Sequence, residues 1–173
     1  DAEPLIVEKP FHHLDLAPGG SSALTLRNGA VCFHGDADDV PDFQDENLSE
    51  VFWIAEDLLV CGSRTEAEIT VRNLTGGVEK RVELPADVHN SRLCFLGESR
   101  ILVAVMDIPG SRMVRLNRYT VPSLDLVSST SLELPEWTRG QLVSHDHRSF
   151  SLDATRMAVK HGWDVLAVYD LLT

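Results

Sequence analysis

The residues with the clearest capacity for chemistry are carboxylates, which are concentrated between positions 36 and 46 in the stretch DADDVPDFQDE. Carboxylate oxygens are calcium ligands, but an EF-hand loop spaces its ligands regularly around a glycine at its sixth position. This stretch has neither the spacing nor the glycine. The pattern favours a solvated acidic loop, with a docking site for a basic partner and a cation site as the alternatives. Its candidate contact residues are Asp36, Asp38 and Asp39.

Histidines form a second candidate group, because His145 and His147 are alternate residues and alternate residues of a strand point the same way. Zinc takes three or four convergent nitrogen or sulfur ligands. No cysteine and no second histidine pair stands at ligand spacing from this pair. A polar loop is therefore favoured over a metal site or a catalytic histidine, and we predict no metal.

A reaction mechanism is not specified by any motif in the sequence. There is no Gly-x-Ser-x-Gly nucleophile turn and no glycine-rich phosphate loop. We therefore predict no catalytic residue and no cofactor, and a protein that is not an enzyme.

Charge and composition narrow the class of partner. The chain of 173 residues has a formal net charge of -12, whereas nucleic-acid binding depends on Lys and Arg that neutralise phosphates. We expect a protein or peptide partner, of basic character, and no nucleic acid. Apolar runs are too short to cross a membrane. Cys32, Cys61 and Cys94 lie in apolar runs without paired spacing, which indicates buried reduced thiols and an intracellular compartment, cytoplasmic or nuclear.

Short apolar and β-branched runs separated by turn residues recur along the chain, so the sequence predicts an all-β protein. An Asn-Gly pair at 28–29 predicts a hairpin between the first two runs. The predicted strands cover 23–26, 30–34, 51–54, 58–62, 68–73, 79–84, 93–96, 101–106, 114–121, 127–134, 149–152, 157–161 and 165–171.

A repeat is visible within this pattern. Segments 51–60, 93–103 and 149–159 each read as an aromatic-bearing strand, an acidic turn and an apolar strand. Phe52 and Phe95 are 43 residues apart, and Phe95 and Phe150 are 55 apart. A four-stranded propeller blade repeats every ~40–45 residues, so the second interval contains one additional long loop. The first two repeats also close alike, with VELP and LELP.

At these residues the chain resembles the WD40 family. The stretch FSLDATR at 150–156 is similar to the Ser-Pro-Asp-Gly turn of a WD40 repeat, and LAVYDL at 166–171 is similar to its Val-Trp-Asp-Leu strand, with Tyr169 in place of the Trp. VCGS at 60–63 followed by ITVRNLTG at 69–76 matches in the same way, and the middle repeat has RYTV at 118–121. The resemblance implies a β-propeller of four-stranded antiparallel blades, about three to four in this chain.

The blades implied by the resemblance are 51–85, 92–135 and 149–173, with a weaker one at 11–50. Residues 4–10 resemble a fourth strand that completes the last blade. A small closed ring is one reading. The other, which we favour, is a partial propeller whose remaining blades belong to a longer chain, because propellers typically need at least ~4 blades to close.

The resemblance also implies a protein-interaction scaffold that presents loops to a partner. The loops on the partner face are 64–66, 86–90, 107–112, 137–147 and 161–164. The candidate partner-binding residues are Arg64, Glu66, His89, Arg112, Trp137, Arg139, His145, His147, His161 and Trp163, together with Asp36, Asp38 and Asp39. A propeller enzyme or metal-binding protein that uses carboxylate and histidine loops is one alternative, and a structural part of a larger multidomain protein is the other.

Overall fold

A computed structural model of the chain describes residues 13–17, 23–34, 42–63, 66–86, 89–133, 148–151, 153–161 and 165–171. These residues form antiparallel sheets and contain no helix, so the expected all-β class is confirmed. Within the described ranges there is accordingly no helix of the length and apolarity needed to cross a membrane. The chain divides into two compact units, Asp1–Glu83 and Leu84–Thr173.

Unit 1 contains two four-stranded sheets, each an antiparallel meander in which neighbouring strands follow one another in sequence. Sheet 1 comprises β1 (His13–Leu16), β2 (Ala23–Arg27), β3 (Ala30–His34) and β4 (Phe43–Gln44). Sheet 2 comprises β5 (Leu48–Ala55), β6 (Leu58–Ser63), β7 (Glu68–Asn73) and β8 (Val78–Glu83).

Unit 2 contains one four-stranded meander and a sheet with three described strands. Sheet 3 comprises β9 (His89–Leu96), β10 (Ile101–Asp107), β11 (Met113–Thr120) and β12 (Leu126–Glu133). Sheet 4 comprises β13 (Arg148–Phe150), β14 (Arg156–His161) and β15 (Val165–Asp170).

Burial separates the central strands from the outer ones. Residues 102–106 of β10 and 68–72 of β7 are continuously buried, whereas β8 and β12 are mostly exposed. A strand whose residues are buried on both faces reads as an unbroken apolar run, while a half-exposed strand alternates. Sheets 2 and 3 therefore have buried central strands and a solvent-facing last strand.

Each unit has its own apolar core. That of unit 1 lies between sheets 1 and 2 and consists of Leu24, Leu26, Val31, Leu48, Val51, Trp53, Leu59 and Cys61. That of unit 2 lies between sheets 3 and 4 and consists of Val103, Val105, Val114, Leu116, Ala154, Met157 and Leu171. All three cysteines are free, but only Cys61 is buried, while Cys32 and Cys94 are half-buried.

The predicted hairpin at 28–29 is confirmed. Arg27 pairs with Ala30, and both intervening residues have positive φ, 51° at Asn28 and 77° at Gly29. This is the type I′ turn that Asn-Gly favours, because its twist matches that of the flanking strands. The turn packs closely, since a Cβ at Gly29 would lie 2.2 Å from the carbonyl oxygen of Asp45.

Every predicted strand corresponds to an observed one, with ends that differ by a few residues. The prediction missed β1 and β4. β1 has the sequence HLDL and only four residues, and β4 has two residues inside the acidic stretch. Neither is long enough to establish an alternating pattern.

The register refines the predicted repeat. Trp53, and not Phe52, lies opposite Leu59, in the same way as Phe95 lies opposite Leu102 and Phe150 opposite Met157. Five residues, 54–58, separate Trp53 from Leu59, whereas six residues, 96–101, separate Phe95 from Leu102.

Substitution of two glycines distinguishes the loss of stability due to backbone strain from the loss due to steric crowding. Gly29 and Gly110 both have positive φ, but a Cβ at Gly110 meets nothing within 4 Å. We expect Gly110→Ala to lower the free energy of unfolding by about 1 kcal/mol and Gly29→Ala by about 3 kcal/mol, because only the latter adds a backbone clash to the strain. Urea denaturation of both variants measures the difference, and equal losses would contradict the packing of the β2–β3 turn against Asp45.

Candidate functional site

Because sheets 2 and 3 are meanders, their connections alternate between two ends. In sheet 2, the first residues of β5 and β7 and the last residues of β6 and β8 lie at one end of the sheet. In sheet 3 the same holds for the corresponding strands, β9 to β12. We call this the loop end of each sheet, and in sheet 4 it is the end where β14 finishes and β15 begins.

The predicted partner-binding residues that the structure describes all lie at the loop end of their own sheets. Glu66 lies between β6 and β7, and Arg112 lies between β10 and β11. His89 begins β9 and His161 ends β14. The remaining predicted residues lie outside the described residues: Asp36, Asp38, Asp39, Arg64, Trp137, Arg139, His145, His147 and Trp163.

The backbone at Glu66 makes hydrogen bonds with residues nearby in the sequence. The backbone N–H of Glu66 donates to Ser63 Oγ at 3.0 Å, and the N–H of Glu68 donates to the carbonyl of Glu66 at 2.7 Å. These bonds hold the backbone at Glu66, and the residue itself is exposed. Glu66 therefore displays its carboxylate from a hydrogen-bonded backbone position.

Glu68, two residues further on, is 8% exposed and bonds to Arg81 of β8, with Glu68 Oε2 and Arg81 Nη1 3.2 Å apart. Burial raises the pKa of Glu68, Arg81 opposes this, and the neighbouring carboxyl of Glu66 raises it further by repulsion and by a hydrogen bond. The loop end of sheet 2 therefore contains a carboxyl pair in which Glu66 and Glu68 are in hydrogen-bond contact.

Such a pair can receive a cationic side chain or exchange a proton with a neighbour. General acid–base catalysis would also need a reacting group to act on. In the part of the chain that the structure describes, no group of three or more His, Cys, Asp or Glu side chains could hold a metal ion. The arrangement around Glu66 is suited to binding a cation on a protein surface.

Arg112 makes an ion pair with Glu133 at the end of β12, and both side chains are well exposed. Exposed ion pairs contribute only ~0–1 kcal/mol. The guanidinium group can therefore exchange Glu133 for a carboxylate of a partner at little cost.

Two carboxylates of the acidic stretch make hydrogen bonds within the fold, while residues 42, 44 and 46 are exposed, as expected of a solvated loop. Asp42 Oδ2 accepts a hydrogen bond from the N–H of Phe33 at 2.8 Å. Asp45 accepts one from the N–H of Asn47 through Oδ1 and pairs through Oδ2 with Arg72 at 2.7 Å. These carboxylates accept hydrogen bonds from backbone N–H groups and from a buried guanidinium, so they stabilise the fold.

Arg72 is a residue that the sequence analysis did not single out. Its side chain is 10% exposed, and its Nε donates to Thr70 Oγ1 at 3.1 Å. The signal available was its position, because Arg72 is a cation within the otherwise uncharged run ITVRNL. Beside it, burial raises the pKa of the Cys61 thiol to about 12, which leaves that thiol protonated and unreactive.

The turn between β13 and β14 lies at the opposite end of sheet 4. Asp153 Oδ1 accepts hydrogen bonds from Ser151 Oγ at 2.6 Å, Thr155 Oγ1 at 2.8 Å and the Thr155 N–H at 3.1 Å. The bond from Ser151 contributes most to lowering the pKa of Asp153 to about 2. Ala154 in this turn has a φ of 56°.

Comparison with known proteins shows a similarity in structure but none in sequence family. No protein-family model matches the chain, and no curated protein matches it. Among solved structures, the chain is similar to hydrazine synthase of Kuenenia stuttgartiensis, with a TM-score of 0.53 and 13% sequence identity. The match covers 84% of this chain and 42% of the hydrazine synthase chain. At this identity the similarity concerns the all-β fold alone.

The buried ion pair gives a first prediction for this region. Arg72→Met leaves the Asp45 carboxylate, 25% exposed, without its cation. We expect a loss of about 2–3 kcal/mol of unfolding free energy, since removal of one partner leaves the other charge partly buried and uncompensated. Arg72→Met combined with Asp45→Leu should recover part of this loss. Urea denaturation measures both, and an additive double variant would show that the two side chains are not coupled.

The raised pKa of Glu68 gives a second prediction, with a defined sign. A carboxyl whose pKa is higher in the folded state stabilises the fold below its ordinary pKa and loses this contribution as pH rises through the raised value. Glu68→Gln cannot lose a proton. Its stability relative to the natural chain should therefore increase between pH 4.5 and 7.5, as measured by urea midpoints. A relative stability that is constant or falls over this range would contradict the coupled pair.

Proposed function

We propose that this chain is a protein-interaction module whose sheets are successive blades of a WD40-like β-propeller, and that the loop ends of the sheets bind a protein or peptide partner of basic character. The observation that carries the proposal is the position of Glu66 and Arg112. Both are exposed at the loop ends of their own sheets, beside local backbone hydrogen bonds.

The proposed repeat has support in the register of three sheets. In each, a buried residue of the second strand lies between an aromatic residue of the first strand and a large side chain of the third. The three rows are Trp53–Leu59–Arg72, Phe95–Leu102–Tyr119 and Phe150–Met157–Tyr169. Such a recurrence is expected of repeated supersecondary units. The turn around Asp153 adds support from a second part of the repeat.

The proposed blades remain 51–85, 92–135 and 149–173, with a further one at 11–50. Each meander supports this division, because a propeller blade is a four-stranded antiparallel sheet. Sheet 4 has three described strands, and we propose that its fourth is supplied by residues 4–10 or that further blades come from a longer chain.

The preference for a basic partner rests on charge. The net charge of -12 attracts cationic proteins over distances comparable to the Debye length, and it disfavours phosphate backbones. The carboxyl pair of Glu66 and Glu68 adds a local acceptor for Lys or Arg. Interface residues of this kind act chiefly on the rate of association and on specificity.

Charge reversal at the two ends of sheet 2 tests the proposal. Glu66→Lys changes the loop end, and Glu56→Lys changes another exposed glutamate, in the β5–β6 turn at the other end. In quantitative affinity capture from the source proteome, we expect at least one protein to bind the natural chain and Glu56→Lys alike. Its recovery with Glu66→Lys should be about tenfold lower, which corresponds to ~1.4 kcal/mol.

The recovered protein should also dissociate from the natural chain as salt is raised, because exposed charge pairs are screened. Equal recovery with all three chains, or a loss specific to Glu56→Lys, would contradict binding through the loop end.

A further inference from the structure

The contact between β1 and β5 depends on side chains. β1 is the edge strand of sheet 1 and β5 the edge strand of sheet 2, and they belong to separate hydrogen-bonded sheets. Asp15 of β1 nevertheless accepts a hydrogen bond from the backbone N–H of Trp53 in β5, with 2.6 Å between Asp15 Oδ2 and the nitrogen. A carboxylate thus satisfies a backbone donor on a strand edge, which would otherwise lack a partner inside the protein.

His13 lies two residues before Asp15 and so belongs to the same side of β1. Its ring packs edge-on against Phe52 of β5, with ring centroids 4.7 Å apart and planes at 80°. The imidazole also donates a hydrogen bond to the backbone carbonyl of Val51. Nε2 is buried and has no hydrogen-bond partner, so the donating nitrogen is Nδ1.

This environment fits a neutral imidazole. A neutral ring has one N–H, and the carbonyl of Val51 accepts it. Protonation would place a second N–H at Nε2, where no acceptor is in reach, and would bury a positive charge. Burial lowers the pKa of His13, and the opposing effects of Asp15 and of the Val51 carbonyl are smaller.

The groups around the ring are defined on each neighbouring strand. Asp15 is the charged group on β1, and Leu26 of β2 lies opposite His13 in the register. β5 contributes the Val51 carbonyl and the Phe52 ring, and Glu50 lies two residues before Phe52 on the same strand. Asp15, the group that would stabilise an imidazolium, is already bonded to the Trp53 N–H.

We propose that the contact between β1 and β5 is a pH-sensitive latch, in which protonation of His13 releases β1 from β5. Release breaks the bond between Asp15 and Trp53 and frees the edge of β5. Acidification would thereby expose backbone groups on the edge of β5 that β1 covers at neutral pH.

The direction of the pH effect follows from linkage. A histidine whose pKa is lower in the closed state binds fewer protons there than when it is released. The latch is therefore at full strength above the ordinary histidine pKa of about 6.5. It weakens as pH falls from that value through the lowered pKa of the closed state.

Hydrogen exchange of the Trp53 amide tests the latch directly. After correction for intrinsic exchange rates, we expect its protection in the natural chain to fall severalfold between pH 7.5 and pH 5.0, as expected of a linked opening equilibrium. The amide of Val60, buried in β6, is the internal reference and should change far less.

His13→Asn is the diagnostic variant, because an asparagine amide can replace the Nδ1 donor and does not titrate in this range. We expect Trp53 protection to be independent of pH in His13→Asn. His34→Asn, which changes another histidine of unit 1, should retain the pH response of the natural chain. An equal fall in the natural chain and in His13→Asn, or no fall in the natural chain, would overturn the proposal.

A second measurement tests the latch if His13→Asn does not fold. The ring protons of His13 can be titrated by NMR in the natural chain. Trp53 protection that follows the His13 titration curve supports the latch, and protection that follows a different midpoint overturns it.

Discussion

The ion pair of Arg72 and Asp45 is the interaction on which the organisation of unit 1 depends. Arg72 belongs to β7, and Asp45 lies in the connection between β4 and β5, so the pair joins sheet 2 to the end of sheet 1. The backbone of Asp45 also donates to the carbonyl of Gly29, which fixes the β2–β3 turn at the same place. Because a guanidinium this deeply buried requires a charged partner, the path of the connection is constrained to bring Asp45 to it.

The strands were largely predictable because alternation and apolar runs are local properties of the sequence. β10 illustrates this, since residues buried on both faces appear as a continuous apolar run. β4 was not predictable, because it consists of two residues whose pairing depends on β3. The register of β5 likewise places Trp53, and not Phe52, opposite Leu59, and composition does not distinguish between these two adjacent aromatic residues.

The candidate site was predictable only in outline. The resemblance places binding residues on particular connections, and Glu66 and Arg112 are on such connections in the structure. The partners of these side chains were not predictable, since Glu68 meets Arg81 across a strand pair and Arg112 meets Glu133 across another. The sequence does not distinguish Asp45 from the neighbouring acidic residues, because its partner Arg72 lies 27 positions away.

The two outer strands β8 and β12 differ in a way that bears on handling the protein. β8 has the sequence VEKRVE, whereas β12 has LVSSTSLE, with a single charge in eight residues. Charges along an edge discourage pairing with the edge of another molecule. Self-association at high concentration should therefore begin at β12, and a lysine at the exposed Ser129 or Ser131 would improve solubility without altering the apolar core.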